Sequence, residues 1–108
     1  MYTPEQQKII SHTKEKIKAL FVAHPIKAHD FDHAQRVSKW AIIIATAEKD
    51  NVFLAEVSAW LHDIGRAIER LPGNTKRHHE YSYDLCRKWF KEDGAFDVLS
   101  KTEKLTIL

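Results

Sequence analysis

Asn51-Val52-Phe53-Leu54-Ala55-Glu56-Val57-Ser58-Ala59-Trp60-Leu61-His62-Asp63-Ile64-Gly65 is an apolar run that opens on a helix-capping residue and closes on a polar pair. Phe53, Val57, Trp60, Leu61 and Ile64 recur at helical spacing and are expected to face inward, with Asn51 as N-cap and Gly65 near the end. His62 and Asp63 therefore sit where leaving polar groups unpaired is costly. Imidazole nitrogen and carboxylate oxygen together suit a borderline or hard divalent cation. Neighbouring residues on a helix point about 100° apart, yet both can embrace one ion placed near the helix end. His33 lies upstream, in His29-Asp30-Phe31-Asp32-His33-Ala34-Gln35-Arg36-Val37. Alone it reads as a surface histidine; beside His62-Asp63 it reads as the residue that closes a metal site from a neighbouring helix.

The remaining chain is nearly all helical in pattern. Thr3-Pro4-Glu5-Gln6 starts a helix, with Thr3 as N-cap, Pro4 at the first helical position and Gln6 closing a capping box. Ile10, Ile17, Leu20 and Phe21 follow at helical spacing until Pro25 interrupts. A second helix is expected over 31–49, capped by Asp30, with Val37, Trp40, Ala41, Ile44 and Ala45 as its apolar positions. Leu71-Pro72-Gly73-Asn74 reads as a loop, and a fourth helix is expected over 79–92, stopped by Asp93-Gly94. Ser100-Lys101-Thr102-Glu103 is a second capping box, announcing a helix with about two turns before Leu108. The expectation is that the chain stops inside a longer helix. No strand hairpin, internal repeat or low-complexity tract is present.

Composition excludes several classes. A chain of 108 residues fits one small domain over 1–108. Its 17 basic and 15 acidic residues leave a net charge of +2. That charge is dispersed along the chain, which disfavours nucleic acid or membrane as the main partner. The lone Cys86 excludes an internal disulfide and suits a reducing cytosol. The longest apolar stretch, Trp40 to Ala47, is too short to span a bilayer, and no secretory signal opens the chain. A cytoplasmic protein is expected. His12 and His24 read as solvated, Lys14 to Lys18 as a solvated helix face, and Trp40, Trp60 and Trp89 as core or partly buried helix contacts.

Leu61-His62-Asp63-Ile64-Gly65 resembles the HDIG form of the HD superfamily of metal-dependent phosphohydrolases. The block from His29 to Val37 is similar to the first block of that family, in which the histidine before x-x-Arg-Val ligates the metal. Lys76-Arg77-His78-His79-Glu80-Tyr81-Ser82 resembles the segment that opens the following helix, where some members use a histidine for a metal, water or phosphate. The resemblance covers roughly residues 29–90 and is closest to small stand-alone HD hydrolases.

It implies a compact all-α fold of about five helices, and a metal held by His33, His62, Asp63 and a further aspartate. The aspartates after His79 are Asp84, Asp93 and Asp97, and none stands in the context of the terminal motif of the family. The expectation is thus an N-terminal part, or a truncation, of an HD protein. In a complete member Asp63 ligates and orients attacking water, and His78 serves as additional ligand or acid. Arg36, Arg66 and Arg77 are candidates for binding phosphate oxygens, with Lys76 a weaker one. Mn²⁺, Fe²⁺, Ni²⁺, Co²⁺, Zn²⁺ and Mg²⁺ all suit such mixed ligation, and imidazole favours a transition metal. The expected substrate is a nucleotide or other small phosphate ester or anhydride, and a second copy of the chain is a candidate partner. The alternative is a noncatalytic metal-binding or regulatory module lacking the distal ligand.

Overall fold

The computed structural model describes residues 2–24, 31–66, 73 and 77–108. Helix α1 spans Pro4–Ala23, α2 Phe31–Ala47, α3 Val52–Leu61 and α4 His78–Glu92; a 3₁₀ turn at Gly94–Val98 leads into α5, Lys101–Ile107. No strand occurs among the described residues, and none of the helices is long and apolar enough to cross a membrane. The architecture is all-α, as the periodicity predicts.

Three helix starts follow from their capping residues. Thr3 Oγ1 accepts from the backbone of Gln6 at 3.1 Å, and Gln6 Oε1 accepts from the Thr3 N–H at 3.0 Å. Asn51 Oδ1 accepts from the Leu54 N–H at 3.0 Å. At α5 the Glu103 N–H donates to Ser100 Oγ at 3.0 Å, and the Ser100 N–H donates to Glu103 Oε1 at 2.9 Å. Each such cap contributes about 1 kcal/mol. The expected Asp30 cap and the 71–74 loop, apart from Gly73, lie outside the described residues.

The end of α2 has no glycine to announce it. Lys49 takes a left-handed backbone with φ of 56°. Its N–H donates to the Thr46 carbonyl at 3.2 Å, while the Asp50 N–H reaches back to Ala45 at 2.9 Å. This is a Schellman closure with lysine where glycine is usual.

Helix α3 packs against α1, α2 and α5, and its pairing with α2 is the broadest in the molecule. Phe53, Val57, Trp60 and Leu61 are buried, together with Ile64 just beyond the helix, as their spacing predicts. They join Ile9, Ile10, Ile17 and Phe21 of α1, Ala34 of α2, Cys86 and Phe90 of α4, and Phe96 and Leu99 in one core. Burying a large apolar side chain completely contributes about 1.5–3 kcal/mol. Glu56 is also buried, with both carboxylate oxygens engaged. Tyr2 OH donates to one at 2.7 Å and Trp60 Nε1 to the other at 3.0 Å. Burial, then the neighbouring carboxylate, pushes the Tyr2 hydroxyl pKa upward. Cys86 lies in the core, where burial pushes its thiol up to about 12.

Helix α2 departs from its expected orientation. Trp40 is 64% exposed and Ile44 53% exposed, so neither is a core contact. The buried edge of α2 is built from small residues instead: Ala34, Ser38 and Ala45. Small side chains allow close helix approach, and Ser38 Oγ satisfies itself by donating to the Ala34 carbonyl at 2.8 Å. Of the expected apolar positions Ala45 is buried, but the larger residues placed the buried face about 100° away.

His12 also differs from expectation. Its Nε2 lies 2.6 Å from Asp93 Oδ2, and Lys16 Nζ reaches the same oxygen at 2.9 Å. The imidazole meets Phe96 edge-on with centroids 5.5 Å apart. These contacts tie α1 to the junction after α4, where Asp93 Oδ1 also accepts from the Ala95 N–H at 3.1 Å. The His12 hydrogen bond, then Lys16, holds the Asp93 carboxyl well below the usual carboxylate range.

Two stability measurements check these features. Lys49→Gly is expected to stabilise by roughly 0.5–1 kcal/mol, because glycine removes the left-handed penalty but adds unfolded-state entropy. A higher thermal midpoint would show it. The folded chain resists protonation of Asp93, so it binds fewer protons than the unfolded chain does. The Asp93 contribution is complete above about pH 4 and is lost as pH falls through the lowered folded value. Asp93→Asn should therefore cost about 1 kcal/mol at neutral pH, and should flatten the acid limb of the stability curve.

Candidate metal centre

The site forms where α3 runs out. Leu61 is the last residue of α3, and 62–65 continue as a tight turn. The Ile64 N–H donates to the Leu61 carbonyl at 3.5 Å, and the Arg66 N–H to the Asp63 carbonyl at 3.1 Å. Gly65 does not make a left-handed cap; among the described glycines only Gly73 has a positive φ. Instead the buried Gly65 N–H donates to Ser82 Oγ at 2.7 Å, fastening the turn to α4.

This turn brings the side chains of adjacent residues together. His62 Nε2 lies 3.2 Å from Asp63 Oδ2. His33, from the first turn of α2, places its Nε2 3.5 Å from the same oxygen. One ligand atom from each of His33, His62 and Asp63 falls within 4.8 Å of the others. The Asp63 side chain is only 13% exposed, while His62 is 40% exposed, so the cluster opens to solvent on the His62 side.

The hydrogen bonds around the cluster suit a cation. His62 Nδ1 lies 2.6 Å from the Ala59 carbonyl oxygen, which can only accept, so Nδ1 carries hydrogen. In the neutral ring Nε2 then presents its lone pair to the cluster, facing the carboxylate oxygen. A cation between these two atoms would be bound by both. A backbone carbonyl behind the distal nitrogen is also the usual way to orient a ligating imidazole. The donor set fits a divalent metal, with His33, His62 and Asp63 as the residues able to hold it.

The other predicted residues fall around this cluster in different ways. Arg66 Nε is buried without a hydrogen-bond acceptor, 3.6 Å from Asp63 Oδ2. Arg36 is exposed on α2, one turn beyond His33. Arg77 is exposed at the N-cap of α4, where its backbone N–H donates to Glu80 Oε2 at 3.3 Å. His78 is the first residue of α4; its side chain and the whole of Lys76 lie outside the described residues. His79 lines a cleft of about 260 Å³ together with His62, Ser82, Tyr83 and Cys86. Asp93 is committed to His12 and Lys16, and Asp97 lies 3.9 Å from Lys104, so those two carboxylates have partners of their own. Pattern reading missed Ser82, although a serine one turn into α4 was visible beside the histidine pair.

The HD domain family model matches residues 30–106. No curated protein and no solved structure gives a significant match.

The Ser82 tether is testable. Ser82→Ala strands the buried Gly65 N–H and should cost about 1–3 kcal/mol. A lower urea midpoint with an unchanged denaturant slope would show it; an unmoved midpoint would mean that Ser82 does not hold the turn.

Proposed function

The chain belongs to the HD-domain family, and on that premise we propose that it is a metal-dependent phosphohydrolase acting on a nucleotide or other small phosphate ester or anhydride. The observation that carries this reading is the convergence within 4.8 Å of His33, from the first turn of α2, with His62 and Asp63, from the turn that ends α3. A divalent ion held there supplies Lewis-acid chemistry, acidifying water and drawing charge from phosphoryl oxygens.

The protein groups divide the remaining work. Asp63 is both ligand and orienting group for the attacking water. Arg66, whose buried Nε has no acceptor of its own, donates to a phosphoryl oxygen beside Asp63. Arg36 and Arg77 reach the outer phosphate oxygens, where the guanidinium fork favours two-point contact. His78 is the additional ligand or the acid that protonates the leaving oxygen. Ala59 and Ser82 take no part in the chemistry; they position His62 and the turn that carries Asp63.

Elemental analysis of the purified chain beside His62→Ala and Asp63→Ala tests this directly. About one metal per chain is expected in the wild type, lost in both variants. Added Mn²⁺ should raise the thermal midpoint of the wild type alone, by mass action, and should support hydrolysis of AMP. A folded wild type that takes up no metal would end the catalytic reading; metal uptake without hydrolysis of any phosphate would favour a regulatory module.

A further inference from the structure

Two pairs of rings join the start of α2 to the end of α3. His33 and His62 have ring centroids 6.2 Å apart. Phe31 and Trp60, each two residues earlier, have centroids 5.2 Å apart with planes tilted by 30°. His62 keeps helical backbone angles as the C-cap of α3. Residues two apart on a helix point about 200° from each other, so the aromatic pair braces the opposite side of the seam from the ligand pair. Its spacing is that of favourable ring packing.

Trp60 is a fixed support: its indole is buried, and Nε1 donates to Glu56 Oε2 at 3.0 Å. Phe31 rests on that support at the first position of α2. The first N–H groups of a helix have no partner within it, so backbone hydrogen bonding does little to fix the turn that carries His33. Helix α1 reinforces the ring contact from outside. Lys14 Nζ stands 5.3 Å from the Trp60 centroid and Lys18 Nζ 6.0 Å from that of Phe31. Both distances suit a cation–π contact. The two lysines are one turn apart, so a single face of α1 covers both rings.

Building on the metal-site reading, we propose that Phe31 is a positioning residue for the metal centre. Its ring, seated on Trp60, fixes the first turn of α2 about the helix axis and so aims His33 Nε2 at Asp63 Oδ2, 3.5 Å away. Phe31 itself points away from the cluster and acts only through the backbone it shares with His33. Metal–ligand bonds tolerate displacements of only about 0.2 Å, so a small rotation of that turn withdraws the imidazole.

The test is a titration of the folded, ion-free chain with Co²⁺, followed by calorimetry and visible absorption. Nitrogen and oxygen sites hold Co²⁺ more tightly than Mn²⁺, which keeps weakened variants measurable. Phe31→Ala should weaken binding by about 10–100-fold, the usual effect of removing a group that orients a ligand. Phe31→Tyr keeps the ring and should bind as the wild type does. Phe90→Leu is the control for stability alone. Phe90 packs on Phe96, about three turns along α4 from His79, and its loss should lower the thermal midpoint without weakening Co²⁺. Because Phe31 acts through His33, Phe31→Ala should add less than about twofold to the loss already caused by His33→Ala. Full additivity in that double variant, undiminished binding in Phe31→Ala, or an equal loss in Phe90→Leu would each overturn the proposal. The two readings fail separately. A folded wild type that takes up no Co²⁺ sinks the metal site and the positioning role with it; a wild type that binds no better than Phe31→Ala sinks the positioning role alone.

Discussion

Burial of α3 against α1, α2 and α5 is the constraint on which the rest of the structure depends. Phe53, Val57, Trp60 and Leu61 leave the helix with little surface suited to water, so neighbouring helices must cover it from several directions. Even its one acid is drawn inside. Glu56 is stable there because Tyr2 and Trp60 each donate to one carboxylate oxygen. An unpaired carboxylate at that position would carry a penalty large enough to unseat the helix. The same pair of bonds fastens the start of the chain onto α3.

The metal cluster is a consequence of where this buried helix ends. His62 and Asp63 emerge at the margin of the core, so their supporting contacts come from packed, immobile groups. The Ala59 carbonyl sets the tautomer of His62, and Ser82 grips the turn at Gly65. Support of this kind matters because ligand atoms must be held in place before an ion arrives. His33 completes the group only because the small buried edge of α2 lets that helix lie close to α3. Bulkier residues at Ala34 and Ser38 would hold α2 away from α3, and with it the third ligand.

Misreadings of the sequence have identifiable causes. Helical periodicity identifies apolar stripes but weighs large side chains more than small ones. On α2 it therefore selected Trp40 and Ile44 along with Ala45, whereas the structure buries Ala34 and Ser38 beside Ala45. His12 looked solvated because its partner, Asp93, lies on the far side of the fold in sequence. Lys49 carried no stop signal, since a left-handed lysine is an exception to the glycine rule. Each of these depends on a long-range neighbour or on a backbone choice that local chemistry does not dictate.

The sequence by itself determined the helices, the caps at Thr3, Asn51 and Ser100 and the inward face of α3, because hydrogen bonding and hydrophobic spacing act within a turn or two of each residue. It also named His33, His62 and Asp63, since the chemistry of imidazole and carboxylate is legible without coordinates. Only the tertiary structure decided that one ligand atom from each comes within 4.8 Å of the others. It alone turned Trp40 outward and paired His12 with Asp93. Those outcomes turn on how closely helices approach, and that distance is set by side chains remote in sequence that meet only in the folded chain.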